Sequence, residues 1–297
     1  MTGAPLTIGV DGGATHCRAR LRGAEGELLA EASGAAANIH VDFAAAIEAI
    51  RAVIDEVLAK ARLGDADRAR IAIGLGLAGV SDMSDAARVV AALPGFALVR
   101  AANDSATACI GAHAGADGGL VNAGTGTVAI ARVAANETII GGRGFALGDD
   151  GSAARIGLQA LRAAILAFDR LGPASDLTQE ILAEFGGDPV AMIRWSRDAK
   201  PGDFGAFSRR VFERAAERDP IALAIVGEAA RAVEALVRGV IALGAERVAL
   251  VGGAGEALRP YFEPDIAARL TPPLYDPTDG AILFAGGAVA PQREAAQ

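Results

Sequence analysis

The feature that most constrains the fold is a pattern of strand, glycine turn and alternating strand that occurs twice in the chain. The first copy is "LTIGVDGGATHCRARL" at residues 6–21, and the second is "GGLVNAGTGTVAIARV" at residues 118–133. The alternation after each turn has the period of a half-buried strand. A third strand follows each copy, and helices then alternate with strands. This repetition predicts an α/β protein of two related domains, residues 1–114 and 115–297, with a cleft between them.

Two segments, residues 43–62 and 220–243, have apolar residues at helical spacing and are predicted to be helices. We also expect a short helix over residues 84–93 and another helix over residues 152–168. Asp42 and Asp219 are the predicted N-caps of the first and the last helix, and Pro220 suits the first helical position. In the last helix we expect Glu234 and Arg238 to form an outward-facing pair.

The turn of the second copy contains "GTGTVA", which fits the dinucleotide fingerprint G-x-G-x-x-G/A. A dinucleotide loop requires a helix that begins at the glycines, so that the helix N-terminus meets the pyrophosphate. The residues after Gly126 are instead rich in β-branched types and alternate, which predicts a strand and makes the glycines a hairpin turn. A second match, "GLGLAG" at residues 74–79, follows a strand but lacks a carboxylate about 20 positions further on. It is either a dinucleotide loop or, as we favour, a set of glycines for close packing.

Glycine turns of this kind let backbone N–H groups approach a phosphate, and threonine hydroxyls can add to them. The first turn has Asp11 before its glycines and Thr15 after them, and the second has Thr125 and Thr127. A carboxylate beside such a turn is a suitable ligand for Mg²⁺. Either turn alone is equally well an ordinary hairpin, but two turns in matching positions favour an ATP site.

Composition excludes several other classes of function. The formal net charge is −8 and aromatic residues make up 4% of the chain, so the basic stripe and stacking rings of a nucleic-acid-binding protein are missing. The two cysteines and three histidines are too scattered for a zinc or iron–sulfur site. We find neither a leader peptide nor an apolar run of about 18 residues, which predicts a cytoplasmic protein without membrane contact.

Three motifs resemble those of the superfamily of sugar kinases, heat-shock ATPases and actin. "GVDGGATHCRARL" is similar to its first phosphate motif, "VNAGTGTVAI" to its second, and "VALVGGAGEAL" to its adenosine motif. Further matching segments are "AAANI", "GLAGV", "NDSATACIGAH", "GGRGFALGDDGSAARIGL" and "DGAILFAGG". Through these segments the chain resembles the N-acetylglucosamine kinase and benzoyl-CoA-reductase ATPase-subunit family nearly end to end. Within that family it is most similar to the bacterial glucosamine kinases. The resemblance implies two ribonuclease-H-like domains of the actin-like ATPase fold, with ATP, Mg²⁺ and a substrate in the cleft.

The resemblance also implies a role for each matching residue. Asp104 would accept the proton of the sugar 6-hydroxyl, although a helix N-cap is the alternative from its position alone. Asp11 would hold Mg²⁺ through water, with an Asx-turn residue as its alternative. The other implied contacts are to the ATP phosphates (Gly12, Gly13, Thr15, Gly124 and Thr125), to adenosine (Gly252, Gly253, Ala254 and Glu256) and to the sugar (Asn38, Gly79, Gly126, Thr127 and Asp149, together with Asp104). Asp150 is expected at the start of a helix.

Some positions depart from the family pattern. Ala14 stands where a third glycine is usual, and Thr127 replaces a serine while keeping its hydroxyl. Asn122 stands where an apolar strand residue is normal, and the sequence gives no reason for it. None of these changes removes an expected catalytic group.

We therefore expect an ATP-dependent amino-sugar kinase that phosphorylates the 6-hydroxyl of glucosamine, with N-acetylglucosamine as the alternative substrate. The activator ATPases of 2-hydroxyacyl-CoA dehydratases resemble this fold, but they need cysteines for a shared iron–sulfur cluster, and Cys17 and Cys109 do not supply that pattern. A non-catalytic sugar-binding sensor is the alternative from another class, and the presence of Asp11 and Asp104 disfavours it. The expected partners are an amino sugar and ATP, with no nucleic acid and no membrane, and a homodimer is left open.

Overall fold

The computed structural model of the protein describes residues 6–13, 15–134 and 136–290. The chain divides into two compact units, one formed by Met1–Asp117 with Pro272–Gln297 and the other by Gly118–Thr271. The division in the middle of the chain lies close to the expected one at residue 114. The C-terminal segment from Pro272 differs from expectation, because it joins the first unit instead of the second.

Strands and helices are numbered in their order along the chain. The strands are β1 (Leu6–Gly12), β2 (Cys17–Arg22), β3 (Leu28–Gly34), β4 (Ile71–Leu77), β5 (Leu98–Asn103), β6 (Gly118–Ala123), β7 (Thr127–Val133), β8 (Asn136–Gly141), β9 (Val248–Val251) and β10 (Leu270–Thr271). The helices are α1 (Phe43–Lys60), α2 (Met83–Ala91), α3 (Asp104–Ala112), α4 (Ala153–Phe168), α5 (Asp176–Ala183), α6 (Pro189–Asp198), α7 (Pro201–Gly205), α8 (Ser208–Ala216), α9 (Pro220–Ala242), α10 (Gly253–Leu258), α11 (Pro264–Ala267) and α12 (Pro277–Phe284). Two short 3-10 helices cover Asp65–Arg70 and Arg259–Tyr261.

The first unit contains a five-stranded sheet with the order β3-β2-β1-β4-β5. β1 and β3 each pair antiparallel with β2, and β1, β4 and β5 run parallel. On one face Cys17, Ala19 and Leu21 are fully buried and belong to a core that includes the apolar side of α1. The predicted half-buried strand after the first turn and its three-stranded meander are confirmed.

Glycine allows α12 to lie directly on the other face of this sheet. A Cβ atom added at Gly74 would be 1.9 Å from the backbone oxygen of Ala281, and one added at Gly9 would be 2.2 Å from that of Thr278. A larger residue at either position would displace the helix. Gly74 therefore serves close packing in "GLGLAG", and this contact explains why the C-terminal segment belongs to the first unit.

Buried charges also join α12 to β2. The Arg22 guanidinium donates from Nε and Nη2 to the two carboxylate oxygens of Asp279 at 2.7 and 2.8 Å. The side chains are 9% and 1% exposed. Arg20 pairs with Asp279 and with Asp276 at 2.9 Å. Because an unpaired charge is costly in such a place, each partner depends on the others.

The second unit contains a five-stranded sheet with the order β10-β9-β6-β7-β8. β6 pairs antiparallel with β7 and parallel with β9, and β8 completes the second predicted meander. Val121, Ala123 and Ala129 are buried in a core that also contains the inner sides of α4 and α9. The strand, turn and strand pattern of the sequence has therefore folded in the same way in both units.

α9 begins as the sequence predicts. Asp219 is its N-cap, and one carboxylate oxygen accepts hydrogen bonds from two backbone N–H groups of the first turn at 2.9 Å. The prediction that Glu234 and Arg238 pair on the outside is wrong for Glu234, which is buried, although the pair exists at 3.3 Å. Glu234 Oε1 accepts a hydrogen bond from the backbone N–H of Glu263 at 2.6 Å, so this carboxylate ties α9 to the segment before α11.

Four short helices, α5 to α8, lie between α4 and α9 and were not predicted. Their packing includes aromatic contacts between residues distant in sequence. Trp195 makes edge contacts with Phe185, Phe204 and Phe207 at ring-centroid distances of 5.2–5.6 Å. Helices this short present too few turns for a clear apolar period, so tertiary contacts define them instead.

Among the helices of the described residues, none combines the length and apolar character required to cross a membrane.

Arg22→Ala should destabilise the protein, because it leaves the buried Asp279 carboxylate without its bidentate partner. We expect the free energy of unfolding to fall by about 3 kcal/mol in urea denaturation. Glu31→Gln is the matched control, because the Glu31 side chain is 61% exposed where it pairs with Arg20. This control should lose less than about 1 kcal/mol. Equal losses in the two variants would contradict the importance of the buried pair.

Candidate active site

Strand direction brings four loops of the first unit to one edge of its sheet. β1, β4 and β5 are parallel, and β3 runs the same way because both it and β1 are antiparallel to β2. The segments after β1, β3, β4 and β5 carry the first glycine turn, Asn38, Gly79 and Asp104 respectively. Asp11 is the last residue but one of β1. The sheet therefore gathers these predicted site residues at a common edge.

Backbone hydrogen bonds join three of these loops. The N–H of Ala78, after β4, donates to the Gly12 carbonyl oxygen at 2.7 Å. The N–H of Ala37, after β3, donates to the Gly13 carbonyl oxygen at 3.0 Å. The first glycine turn is thus held in shape by both neighbouring loops, which reduces the ordering cost of binding a ligand there.

The turn itself is a compact connection between β1 and β2. The N–H of Gly13 donates to the His16 carbonyl oxygen at 2.9 Å. Thr15 is exposed, and its hydroxyl lies 2.9 Å from His16 Nδ1. Ala14, where the family has a third glycine, lies outside the described residues.

Asn38 lies beside Gly79. Its Oδ1 accepts a hydrogen bond from the backbone N–H of His40 at 2.9 Å, and a Cβ added at Gly79 would be 2.8 Å from the same oxygen. The amide nitrogen of Asn38 has no hydrogen-bond partner in the described part of the chain. Asn38 can therefore donate two N–H bonds to a bound ligand.

Two partly buried carboxylates, those of Asp11 and Asp104, lie at this edge. The pKa of Asp11 is raised from 3.8 to about 6, mainly by burial and then by the charge of Asp104, while the Arg18 guanidinium opposes the rise. Burial also raises the pKa of Asp104. A proton or a cation relieves such repulsion. Within the described residues no three His, Cys, Asp or Glu side chains are grouped to hold a metal ion, so a cation here would need oxygens from water or a ligand.

Asp104 is the first residue of α3 and not its N-cap. Asn103 caps the helix, because its Oδ1 accepts a hydrogen bond from the backbone N–H of Ser105 at 3.0 Å. Asp104 Oδ1 accepts from the same N–H at 2.8 Å, and Asp104 Oδ2 has no hydrogen-bond partner among the described residues. Asn103 also donates to the Val80 carbonyl oxygen at 3.0 Å and so fixes the start of α3. Sequence reasoning missed Asn103, although an Asn-Asp pair at a strand–helix junction was a usable signal.

The second glycine turn, in the second unit, is a hairpin as predicted. β6 and β7 pair up to Ala123 and Thr127, and the N–H of Gly124 donates to the Gly126 carbonyl oxygen at 2.9 Å. The dinucleotide interpretation of "GTGTVA" therefore fails, because a strand and not a helix follows Gly126. The start of α4 lies behind the turn, where the N–H of Ala153 donates to the Gly124 carbonyl oxygen at 2.8 Å.

Asp149 lies against this hairpin with a φ of +62°, which is uncommon for a residue other than glycine. Its Oδ1 accepts a hydrogen bond from the N–H of Thr127 at 3.2 Å, and a Cβ added at Gly126 would be 3.0 Å from its Oδ2. Three predicted sugar-contact residues are thus neighbours, and their contact with a sugar stays a prediction. Asp150 does not begin α4, which has Ser152 as its N-cap.

The adenosine motif lies beside the hairpin at the same edge of the second sheet. β9 runs parallel to β6, and α10 follows Gly252 directly. Gly252 has a φ of +94°, and an added Cβ would be 2.4 Å from the Ala123 carbonyl oxygen and 2.7 Å from Asn122 Oδ1, so only glycine fits. The Glu256 carboxylate accepts a hydrogen bond from Arg259 Nε at 2.6 Å, and the backbone N–H of Glu256 donates to the Gly252 carbonyl oxygen at 3.0 Å.

The rest of the motif forms the first turn of α10. Gly253 is exposed and Ala254 is buried, so of these two residues Gly253 is the one that lies at the surface. Asn122 is exposed, and its Oδ1 lies near both Gly252 and Gly124. The polar side chain at this position is therefore accommodated because it lies at an open edge between two glycine motifs.

The raised pKa of Asp11 makes stability depend on pH. Between pH 3.8 and about 6 the folded protein keeps a proton that the unfolded chain has lost, so unfolding releases a proton and the free energy of unfolding falls as pH rises. Asp11→Asn removes this dependence. In metal-free urea denaturation at pH 4, 5, 6 and 7, we expect the variant to gain about 1–2 kcal/mol over the native chain across that range. Parallel pH curves for the two proteins would contradict the burial of an ionisable Asp11.

The model of the BadF/BadG/BcrA/BcrD ATPase family matches residues 8–285 of this chain. The glucosamine kinase GspK of Vibrio cholerae is 32% identical over 279 residues, which are 94% of this chain and 95% of that protein. An N-acetyl-D-glucosamine kinase of Dictyostelium discoideum is 30% identical over 257 residues, covering 80% of this chain and 79% of that protein.

Solved structures agree with this relationship. A Chromobacterium violaceum protein provisionally assigned as an N-acetylglucosamine kinase has a TM-score of 0.85 at 35% identity, covering 95% of this chain and 99% of its own. A ROK family glucokinase of Streptomyces griseus, in complex with glucose and AMPPNP, has a TM-score of 0.56 at 18% identity, covers 95% and 99% of the two chains, and supports the fold alone. The predicted α/β fold with two actin-like domains is confirmed. By its match over residues 8–285, this chain belongs to the BadF/BadG/BcrA/BcrD ATPase family.

Proposed function

We propose that this chain is an ATP-dependent amino-sugar kinase that transfers the γ-phosphoryl group of ATP to the 6-hydroxyl of glucosamine. The observation that carries the proposal is the pair of partly buried carboxylates, Asp11 and Asp104, at the sheet edge that also holds Asn38 and Gly79. Phosphoryl transfer needs one group that receives the hydroxyl proton and others that position the nucleotide and its metal ion. The Vibrio cholerae relative, a glucosamine kinase by name, matches nearly the whole chain and supports the same reaction.

Asp104 is the proposed base. The sugar oxygen forms a bond to the γ-phosphorus while the bond from that phosphorus to the β–γ bridging oxygen breaks, and ADP leaves with that electron pair. The hydroxyl proton passes to Asp104, whose Oδ1 is held by the N–H of Ser105 while Oδ2 is available. Its raised pKa suits a proton acceptor, and the loose transition state requires only modest basicity.

The chemistry of Asp11 fits a magnesium ion. Mg²⁺ prefers oxygen ligands, keeps several waters, and binds proteins through one or two carboxylates together with substrate phosphates. Burial and the charge of Asp104 disfavour an ionised Asp11, so Asp11 gains from a nearby cation. Asp11 would hold Mg²⁺ through water, and the ion would neutralise charge on the β- and γ-phosphates.

The two glycine turns are the proposed contacts for the phosphates, because glycine lets a phosphate approach the backbone closely and the threonine hydroxyls can donate to it. The residues assigned to these contacts are Gly12, Gly13, Thr15, Gly124 and Thr125. The segment 252–256 is assigned to adenosine, since its glycines leave the backbone of the α10 start accessible.

Asn38, Gly79, Gly126, Thr127 and Asp149 are the proposed sugar contacts. The protonated amine of glucosamine favours a carboxylate, whereas an acetyl group favours an apolar niche with one donor. Asp149 supplies a carboxylate and Asn38 supplies N–H donors for hydroxyl groups, which supports glucosamine. N-acetylglucosamine is the second candidate, because the Dictyostelium discoideum relative carries that name.

A coupled ADP-release assay with glucosamine, N-acetylglucosamine, glucose and mannosamine tests the proposal. We expect Mg²⁺-dependent turnover with the highest kcat/KM for glucosamine. A preference for N-acetylglucosamine would keep the kinase and change its substrate. Binding of a sugar without turnover of any would overturn the proposal in favour of a sugar-binding sensor.

Asp104→Asn should lower kcat by a factor of about 10²–10⁴ while leaving ATP affinity nearly unchanged, because the amide cannot accept the hydroxyl proton. The measurement is a steady-state assay together with calorimetric titration of ADP in Mg²⁺. Asp150→Asn is the matched control, since the Asp150 side chain is 71% exposed and pairs with Arg155. A near-native kcat for Asp104→Asn would show that another group takes the proton.

A further inference from the structure

One residue of β6 does not suit the strand in which it lies. Asn122 is the last residue but one of β6, and it is exposed while the other residues of that strand are buried. β6 pairs with β7 on one side and with β9 on the other, so it is an inner strand of its sheet. Asparagine is disfavoured in strands, and an apolar residue is normal at this position in the family. A residue that breaks a local rule in this way indicates a function other than stability.

The side chain of Asn122 projects from the face of the sheet opposite α4 and α9. Val121 and Ala123, its neighbours in the strand, are fully buried in the core that contains those helices, and successive side chains of a strand point to opposite faces. Leu120 shares the face of Asn122 and is only 2% exposed. This face is therefore covered at Leu120 and open at Asn122, where β6 ends and the second glycine turn begins.

Two glycines flank the side-chain amide of Asn122. A Cβ atom added at Gly252 would be 2.7 Å from Asn122 Oδ1, and one added at Gly124 would be 3.7 Å from the same atom. A side chain at Gly252 would overlap with the amide, so the glycine leaves room for it. Gly252 belongs to the segment assigned to adenosine and Gly124 to the turn assigned to the phosphates, so the amide lies between these two parts of the site.

The Asn122 amide forms no hydrogen bond with any residue that the structure describes. Other polar side chains near these motifs have partners, because the Glu256 carboxylate accepts from Arg259 Nε and the Asp149 carboxylate from the N–H of Thr127. Asn122 therefore has two N–H donors and an acceptor oxygen available to a ligand.

The internal repeat gives Asn122 a counterpart in the first unit. Asp11 is the last residue but one of β1, as Asn122 is of β6, and a glycine turn follows each strand. The two side chains differ in chemistry, because a carboxylate is charged and only accepts hydrogen bonds, whereas an amide is neutral and can also donate. Beside a phosphate chain a carboxylate is repelled, while an amide can donate N–H bonds to the phosphate oxygens.

We infer that Asn122 is a further nucleotide-binding residue of the second unit, which donates its amide N–H groups to phosphate oxygens of the bound nucleotide. The inference rests on the proposed function, because it takes ATP as the ligand at this edge. Asn122 supplies a side-chain donor that the apolar residue of the family pattern cannot supply, which explains the departure from that pattern.

Asn122→Val and Asn122→Asp test this assignment by calorimetric titration with ADP, in Mg²⁺ and in EDTA, and with adenosine. We expect Asn122→Val to raise the Kd for ADP about tenfold with or without Mg²⁺, because a hydrogen bond to a charged group is lost. Asn122→Asp should raise this Kd further, because its carboxylate repels the phosphates. In Asn122→Val the Kd for adenosine, which has no phosphate, should be nearly unchanged, and the midpoint of thermal unfolding should not fall, since valine suits an inner strand.

Asn136→Val is the matched control. Asn136 is an exposed asparagine of β8 in the same unit, and its amide donates to the Ala134 carbonyl oxygen at 3.4 Å. This variant should leave the Kd for ADP unchanged.

An unchanged Kd for ADP in Asn122→Val would overturn the inference. An equal rise in the Kd for adenosine would also overturn it, by assigning Asn122 to the nucleoside. A loss confined to Mg²⁺, or tighter ADP binding by Asn122→Asp in Mg²⁺, would overturn it by assigning Asn122 to the metal ion. Calorimetric ADP binding does not depend on turnover, so a native protein that binds ADP but phosphorylates no sugar would overturn the proposed function alone.

Discussion

The parallel direction of β1, β4 and β5 is the constraint on which the candidate site depends. It places the ends of three separate chain segments at one edge, so Asp11 and Asp104 come close although they are far apart in sequence. Their mutual repulsion in a partly buried position is unfavourable without a cation. A bound cation would relieve this repulsion, and we propose that a nucleotide brings that cation to the edge.

The other structural features of the first unit maintain this edge. Gly9 and Gly74 allow α12 to lie on the sheet, and the buried Arg22–Asp279 pair fixes it there. The start of α12 contributes Asp276, whose charge also acts on Asp11. The second unit repeats the strand arrangement with different supports, because the start of α4 and Gly252 hold its hairpin. One topology therefore positions two glycine turns, and each unit stabilises its own turn locally.

Local patterns predicted much of this fold, whereas the roles of the candidate site residues came from the family resemblance and stay predictions. Alternation after Gly126 was sufficient to distinguish a hairpin from a dinucleotide loop, and the cap at Asp219 set the start of α9. Long-range contacts could not be predicted in the same way. The attachment of residues 272–290 to the first sheet depends on α12 meeting Gly9 and Gly74, and the burial of Glu234 depends on the backbone near Glu263.

The most direct test of this account is to identify where the phosphoryl group goes. The protein would be incubated with ATP, Mg²⁺ and glucosamine, and the product examined by ¹H–³¹P correlation NMR. We expect a cross-peak between the new phosphorus signal and the two protons on C6, and no such product from Asp104→Asn in the same time. A cross-peak to the proton on C1 or C3, or release of inorganic phosphate without any sugar phosphate, would contradict it.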